Sequence, residues 1–249
     1  MRAGADYLLA YIGIMGPQDN VDVLLEVMDH LVHEKNRKDV HLVLMGFGDC
    51  LEPLKQQAHE LGLDDCTTFT GRADQDLIAR YLSTAHLGLS PDLKTPLNDV
   101  STHNKTMEYM AYALPVVSFD LAESRLSAGK SSVYVESGDV AAFATAIDEL
   151  LDDPQTRVEM GRLARRRCVA ELDWAPQARE YVQVFDRLFG REESTVPELQ
   201  PIERRSTPTR NELPVLAGET VIDLRDPADF ESFLLRRGAR TPDDSLLMD

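Results

Sequence analysis

No stretch of the 249-residue chain holds the roughly 18 to 20 consecutive apolar residues that cross a bilayer, and the opening Met1-Arg2-Ala3-Gly4 has no apolar segment of signal-peptide length. Neither an intrinsic membrane span nor an export route is expected. Basic residues are outnumbered: 26 Lys and Arg against 43 Asp and Glu leave a formal charge of −17, which repels phosphate polymers and anionic lipid. Binding of nucleic acid through net charge is not expected. The three cysteines, Cys50, Cys66 and Cys168, form no CxxC pair and no metal-ligand spacing, so neither a disulfide framework nor a metal site is expected, and the thiols fit a reducing cytosol. Aromatic residues are few, at 6%, yet 43% apolar and 28% charged residues are the proportions of a globular protein with a core, which excludes fibres and wholesale disorder. At roughly 100 to 200 residues per domain, the length implies one large domain or one domain with an appendage.

From Leu8 to about Phe189, short apolar runs alternate with amphipathic segments, the pattern of β-α units that feed a parallel sheet. Strands are expected at Leu8 to Ile12, Val40 to Met45, Thr67 to Thr70, Leu87 to Ser90, Pro115 to Phe119 and Ser132 to Val135. Val21, Leu24, Leu25, Met28, Leu31 and Val32 recur at helical spacing, so Asn20 to Glu34 reads as a helix laid on the sheet. Further helices fit Cys50 to Leu61, Asp74 to Ser83, Asn104 to Ala113 and Val140 to Leu151, and two more, Gln155 to Cys168 and Ala175 to Phe189, form a helical finish. The expected fold is α/β, a single doubly wound parallel sheet, which binds ligands at the carboxyl ends of its strands. From Arg191 onward 59 residues hold six of the thirteen prolines and 13 acidic against 8 basic side chains, a largely disordered tail in which Thr220 to Leu235 alone has strand and helix character.

Two glycine turns follow the first two strands, Gly13-Ile14-Met15-Gly16 and Gly46-Phe47-Gly48. Glycine lets a ligand approach the backbone, and free N–H groups at a helix start favour an anion; such turns are equally common as plain connections. The segment from Pro96 to Val117 is more informative. Ser101, Thr102, His103 and Asn104 lead into a helix bearing Lys105 and Glu108 three residues apart. A lysine beside a helix N-terminus suits phosphate oxygens, and a carboxylate one turn on accepts hydrogen bonds from vicinal hydroxyls; a capped surface helix with an i,i+3 ion pair reads equally well. His103 reads as a hydrogen-bonding loop residue rather than a catalytic one, Glu123 and Arg125 as an ordinary surface ion pair or as lining of the same cleft, and the run Arg162 to Arg167 as a solvated face ahead of a docking site for acidic lipid or a partner.

The order Gly-x-x-Gly turn, Leu44-Met45-Gly46-Phe47-Gly48, Thr68-Phe69-Thr70-Gly71-Arg72, Tyr81-Leu82-Ser83-Thr84-Ala85, Asn104-Lys105-x-x-Glu108-Tyr109-Met110-Ala111, Pro115-Val116-Val117 and Gly138-Asp139 resembles the C-terminal half of family 4 retaining glycosyltransferases. The resemblance implies residues 1–190 as a Rossmann-like domain, one half of the two-domain GT-B architecture, that holds a nucleotide-diphosphate sugar. It implies no metal and no cofactor beyond that donor. Glu108 matches the second glutamate of the family's E-x7-E motif, which holds the donor ribose, and Ser101 stands at the first position, where Ser101, Thr102 and backbone amides would replace the lost carboxylate. Ile14 and Asp19 occupy the places of an arginine and a lysine that grip the diphosphate in many members. The resemblance therefore leaves the diphosphate to Gly13, Gly16, helix N-termini and Lys105, with Gly46, Gly48 and Asn104 beside them and Arg72 at the nucleobase.

In the family mechanism the diphosphate leaves as the acceptor hydroxyl attacks on the same face, so catalysis is expected to rest on electrostatic support from Lys105, with Glu108 positioning the donor. The acceptor domain is expected either from a separate polypeptide or to have been lost by truncation, and Ala175 to Phe189, which in relatives covers that domain, is expected to expose apolar surface or to meet a partner. A role in cell-surface polysaccharide or glycolipid synthesis follows from the resemblance, in the cytoplasm or peripherally at the inner face of the membrane. Two other readings stay open: a non-catalytic nucleotide-sugar-binding or scaffold module, and a sugar-nucleotide epimerase.

Overall fold

A computed structural model describes residues 5–191. Its elements are β1 (Tyr7–Ile14), α1 (Val21–Asp29), β2 (Val40–Phe47), α2 (Leu51–Glu60), β3 (Thr67–Gly71), α3 (Gln75–Thr84), β4 (Leu87–Ser90), α4 (Asn104–Ala111), β5 (Val116–Phe119), α5 (Ala122–Ala128), β6 (Ser132–Val135), α6 (Val140–Asp152), α7 (Pro154–Arg167) and α8 (Trp174–Phe189). All six expected strands are present, in one parallel sheet of order β3-β2-β1-β4-β5-β6. The segment from Thr220 to Leu235 lies outside the described residues.

The near-continuous apolar runs of the central strands follow from burial on both faces. Leu9, Tyr11, Leu42 and Leu44 point into a core with Leu24, Leu25 and Met28 of α1 and Phe143 and Ile147 of α6. Their neighbours Leu8, Ala10, Val43 and Met45 point to the opposite face, against Leu82 of α3, Tyr109 of α4 and Leu114. Helices on both faces make the sheet doubly wound.

The order in which successive strands are laid down reverses between the parallel neighbours β1 and β4, and the two strands pair only at Leu9–Leu87 and Ala10–Gly88. Beyond that point they part, which leaves the Ile12 N–H without a β4 partner. The Tyr109 hydroxyl accepts from it at 3.0 Å and donates to the Leu89 carbonyl at 3.1 Å. A Cβ placed on Gly88 would lie 2.3 Å from the Tyr109 ring, so only glycine lets α4 sit this close to β4. The hydroxyl thereby fixes α4 across the opening.

Three elements differ from the sequence reading. The helix expected from Asn20 starts at Val21, because Asn20 has a left-handed φ of 51°, and its regular part stops at Asp29, where a π turn, His30–Glu34, begins. The helix α5 was not expected: its first N–H, of Ala122, is capped from a distance by Asp99 Oδ1 at 2.8 Å, a contact with no local sequence signature. The basic run on α7 is not merely a solvated face. Arg165 donates to the Ala111 carbonyl at 2.8 Å, and Arg167 to those of Ser127 and Leu126 at 3.0 and 2.9 Å, which satisfies open carbonyls where α4 and α5 end. As expected, α8 exposes Trp174, Tyr181, Val184, Phe185 and Leu188. Among the described residues no helix is long and apolar enough to cross a membrane.

Candidate functional site

The ends of β1 and β2, the loop after β4 and the start of α4 converge where β1 and β4 part, the ligand crevice of open α/β sheets. The two glycine turns meet there back to back. A Cβ on Gly46 would lie 1.8 Å from the Gly13 carbonyl oxygen, and one on Gly48 within 2.5 to 2.8 Å of the Met15 backbone. Gly46 and Gly48 therefore serve the approach of one turn to the other, which Met15 N–H to Phe47 O and Cys50 N–H to Met15 O close at 3.0 and 2.9 Å. The Gly16 N–H, expected to face an anion, donates instead to Asp19 Oδ2 at 3.0 Å. A carboxylate of the chain itself occupies that amide.

Gly13 and Lys105 come together. A Cβ on Gly13 would lie 2.8 Å from the Tyr11 hydroxyl and 3.6 Å from Lys105 Cε, and the Lys105 ammonium sits 5.3 Å from the centroid of the Tyr11 ring. Lys105 is buried, and its Nζ donates to both oxygens of Asp92 at 2.7 Å. Ser90 Oγ donates to Asp92 Oδ2 at 2.6 Å, and His103 Nε2 lies 3.6 Å from Asp92 Oδ1. An ammonium has three N–H bonds, so one remains for another acceptor. The sequence reading missed Asp92. The loop after β4 was a place to look, but thirteen residues separate Asp92 from Lys105 and no periodicity links them.

Glu108 stands exposed one turn further along α4, without a hydrogen bond or ion pair among the described residues. The protein around it desolvates its carboxyl enough to raise the pKa above the ordinary value. With seven residues between the two motif positions, the partner of Glu108 is Val100, 72% exposed, and not Ser101. Ser101 Oγ donates to the Leu97 carbonyl at 2.7 Å and Thr102 Oγ1 to Glu123 Oε1 at 2.8 Å, while Asn104 is exposed at the first turn of α4. Arg72, at the end of β3, stacks its guanidinium 3.8 Å from the centroid of the exposed Phe47 ring. Arg125 lies on the surface but pairs with Asp120, through Nη2 at 2.8 Å, and not with Glu123, whose Oε1 takes the Thr102 hydroxyl instead. A concavity of about 310 Å³ lies on the α1–α2 side, lined by Gly16, Pro17, Val21, Cys50, Leu54 and Gln57 among others, and none of Asp92, Lys105 or Glu108 borders it. Among the described residues no group of three or more His, Cys, Asp or Glu side chains is placed to hold a metal ion.

Sheet order and crevice define an open α/β unit of Rossmann type, as found in GT-B proteins. Sucrose-phosphate synthase from Thermosynechococcus elongatus superposes with a TM-score of 0.65 at 22% identity, over 76% of this chain and 47% of that one. Anabaena HepE in complex with UDP gives 0.62 at 16% identity, over 73% and 49%. The family model for glycosyl transferases group 1 matches residues 6–153, and the chain belongs to that family. Glycogen synthase of Mycobacterium tuberculosis is 26% identical over 212 residues, 84% of this chain and 49% of that protein. D-inositol 3-phosphate glycosyltransferase of Corynebacterium urealyticum is 24% identical over 212 residues, 82% and 47%. The chain thus spans about half the length of these curated relatives.

Proposed function

We propose that this chain is the donor-binding half of a retaining, family 4 type glycosyltransferase, corresponding to the C-terminal domain of its relatives. The observation that carries the reading is the meeting of Gly13, Lys105 and the start of α4 at the switch-point crevice. The diphosphate of a nucleotide sugar lies over Gly13 and takes the third N–H of Lys105, while Asp92 holds the other two and fixes the ammonium in place. The unpartnered carboxylate of Glu108 accepts from the vicinal hydroxyls of the ribose. Arg72 and Phe47 face the nucleobase, and Ser101, Thr102 and Asn104 the donor sugar. The UDP complex of the structural relative HepE supports a nucleotide ligand for this fold.

On this reading Lys105 and the amides of the α4 start stabilise the departing diphosphate as an acceptor hydroxyl attacks from the same face, with no metal and no protein nucleophile. The acceptor-binding half comes from a further polypeptide segment, and the exposed apolar side of α8 is the surface it would cover. The cellular role is assembly of a surface polysaccharide or glycolipid, by a cytoplasmic or membrane-peripheral protein. The test is calorimetry of UDP-glucose, ADP-glucose and GDP-mannose binding to the wild type, Lys105→Ala and Glu108→Ala. Each substitution should weaken the preferred donor at least tenfold; unchanged affinity in both refutes the site. A second reading is a nucleotide-sugar-binding or scaffold module without turnover. That reading requires donor binding and no transfer even when an acceptor-binding partner is supplied.

A further inference from the structure

We infer that His103 is a second cationic contact to the donor diphosphate, engaged in its protonated form, so that donor binding takes up a proton; this rests on the donor-binding reading above. The imidazole is largely buried, with 12% of its side chain exposed, immediately before α4 and two residues from Lys105. Its Nε2 faces Asp92 at 3.6 Å, and its buried Nδ1 has no hydrogen-bond partner among the described residues. A buried orphan of this kind beside the Asp92–Lys105 pair is expensive unless a rearrangement on ligand binding completes it.

Charge arithmetic around the imidazole gives the direction. Four charged groups face it: Asp92 from the loop after β4, Lys105 from α4, Asp19 from the turn after β1 and Glu123 from α5. Lys105 is cancelled by Asp92, and the other two are anions, so the side chains present a diphosphate with no uncompensated cation. His103 is the one member of the group that gains positive charge near neutral pH. In the free chain, burial holds its pKa below the ordinary value and Lys105 adds to that, against the pull of Asp92, Asp19 and Glu123. Two phosphate charges alongside reverse the balance and draw a proton onto the ring.

The probe is UDP-glucose, with ADP-glucose and GDP-mannose in parallel, because a diphosphate diester does not itself titrate near neutral pH. Binding enthalpy is measured on the full chain at pH 7.5 in buffers of different ionisation enthalpy. The wild type should take up about half a proton per donor bound, and His103→Gln about none. His103→Gln should lose roughly tenfold in affinity at pH 6.5 and little at pH 8.5, where the wild-type ring is neutral. On wild-type protein, the NMR titration midpoint of the His103 ring should move to higher pH when donor is added, a readout independent of any variant's folding. Binding without proton uptake, uptake that persists in His103→Gln, or an unmoved midpoint overturns the inference alone. Failure of all three nucleotide sugars to bind overturns the donor-binding reading and this inference with it.

Discussion

Removing the ammonium of Lys105 strands a carboxylate. Asp92 has 3% of its side chain exposed and Lys105 9%, with 2.7 Å from Nζ to each carboxylate oxygen. At an effective dielectric of roughly 20 their attraction is about 6 kcal/mol, most of which offsets the desolvation of both groups. Lys105→Met keeps the stem and deletes the charge, leaving Asp92 with Ser90 and with His103 at 3.6 Å. The expected cost at pH 8 is about 3–5 kcal/mol, the range for breaking one side of a buried pair. At pH 6 the loss should be smaller. Without Lys105 nearby and with Asp92 unpaired, the His103 pKa rises in the folded variant. That contributes stability which is fully present below the unfolded value of about 6.5 and disappears as pH rises through the folded pKa. Urea unfolding of wild type, Lys105→Met, Asp92→Asn and the double variant at both pH values measures this. The double variant removes both charges and should lie within about 1 kcal/mol of wild type. A single variant within about 1 kcal/mol of wild type at pH 8, or a double variant as costly as the sum of its parts, refutes the description of the pair as buried and coupled.

Glu108→Gln tests whether a binding residue is held at the expense of stability. Its raised pKa means that the folded state releases the proton later than the unfolded chain, so wild-type stability declines as pH climbs above about 4.3. The variant should be at least as stable as wild type at pH 7 and converge with it below about pH 4 in thermal melts; a less stable variant at pH 7 would reveal a partner for the carboxylate. Gly46→Ala should abolish donor binding in calorimetry although Gly46 offers the ligand nothing, because its methyl would meet the Gly13 carbonyl oxygen at 1.8 Å and push the two turns apart. Retained affinity would show that the turns adjust independently.

The sheet could be read from sequence because each strand is a short apolar run bounded by turn residues and each crossover has its own stripe; such signals are local. The misses share the opposite property. The cap of α5 comes from Asp99, the partner of Lys105 is Asp92, and the carbonyls that Arg165 and Arg167 satisfy lie about forty residues or more away along the chain. Composition also misled about the glycines. Gly46 and Gly48 look like openings for a ligand, yet the atoms that forbid a side chain there belong to Gly13 and Met15. The identity of a small residue announces close approach and leaves open what approaches.

The hydroxyl of Tyr109 works as a wedge between the two central strands, rooted in the same helix turn as Glu108 and one turn past Lys105. The gap it props and the charges beside it therefore behave as one mechanical variable. A load that draws Lys105 outward is expected to strain the two bonds of the Tyr109 hydroxyl, and a sheet distortion at Ile12 or Leu89 to be felt at the ammonium. Substitutions deep in the hydrophobic interior, at Gly88 or under the Tyr109 ring, can thus retune the grip on a charged guest that they never touch.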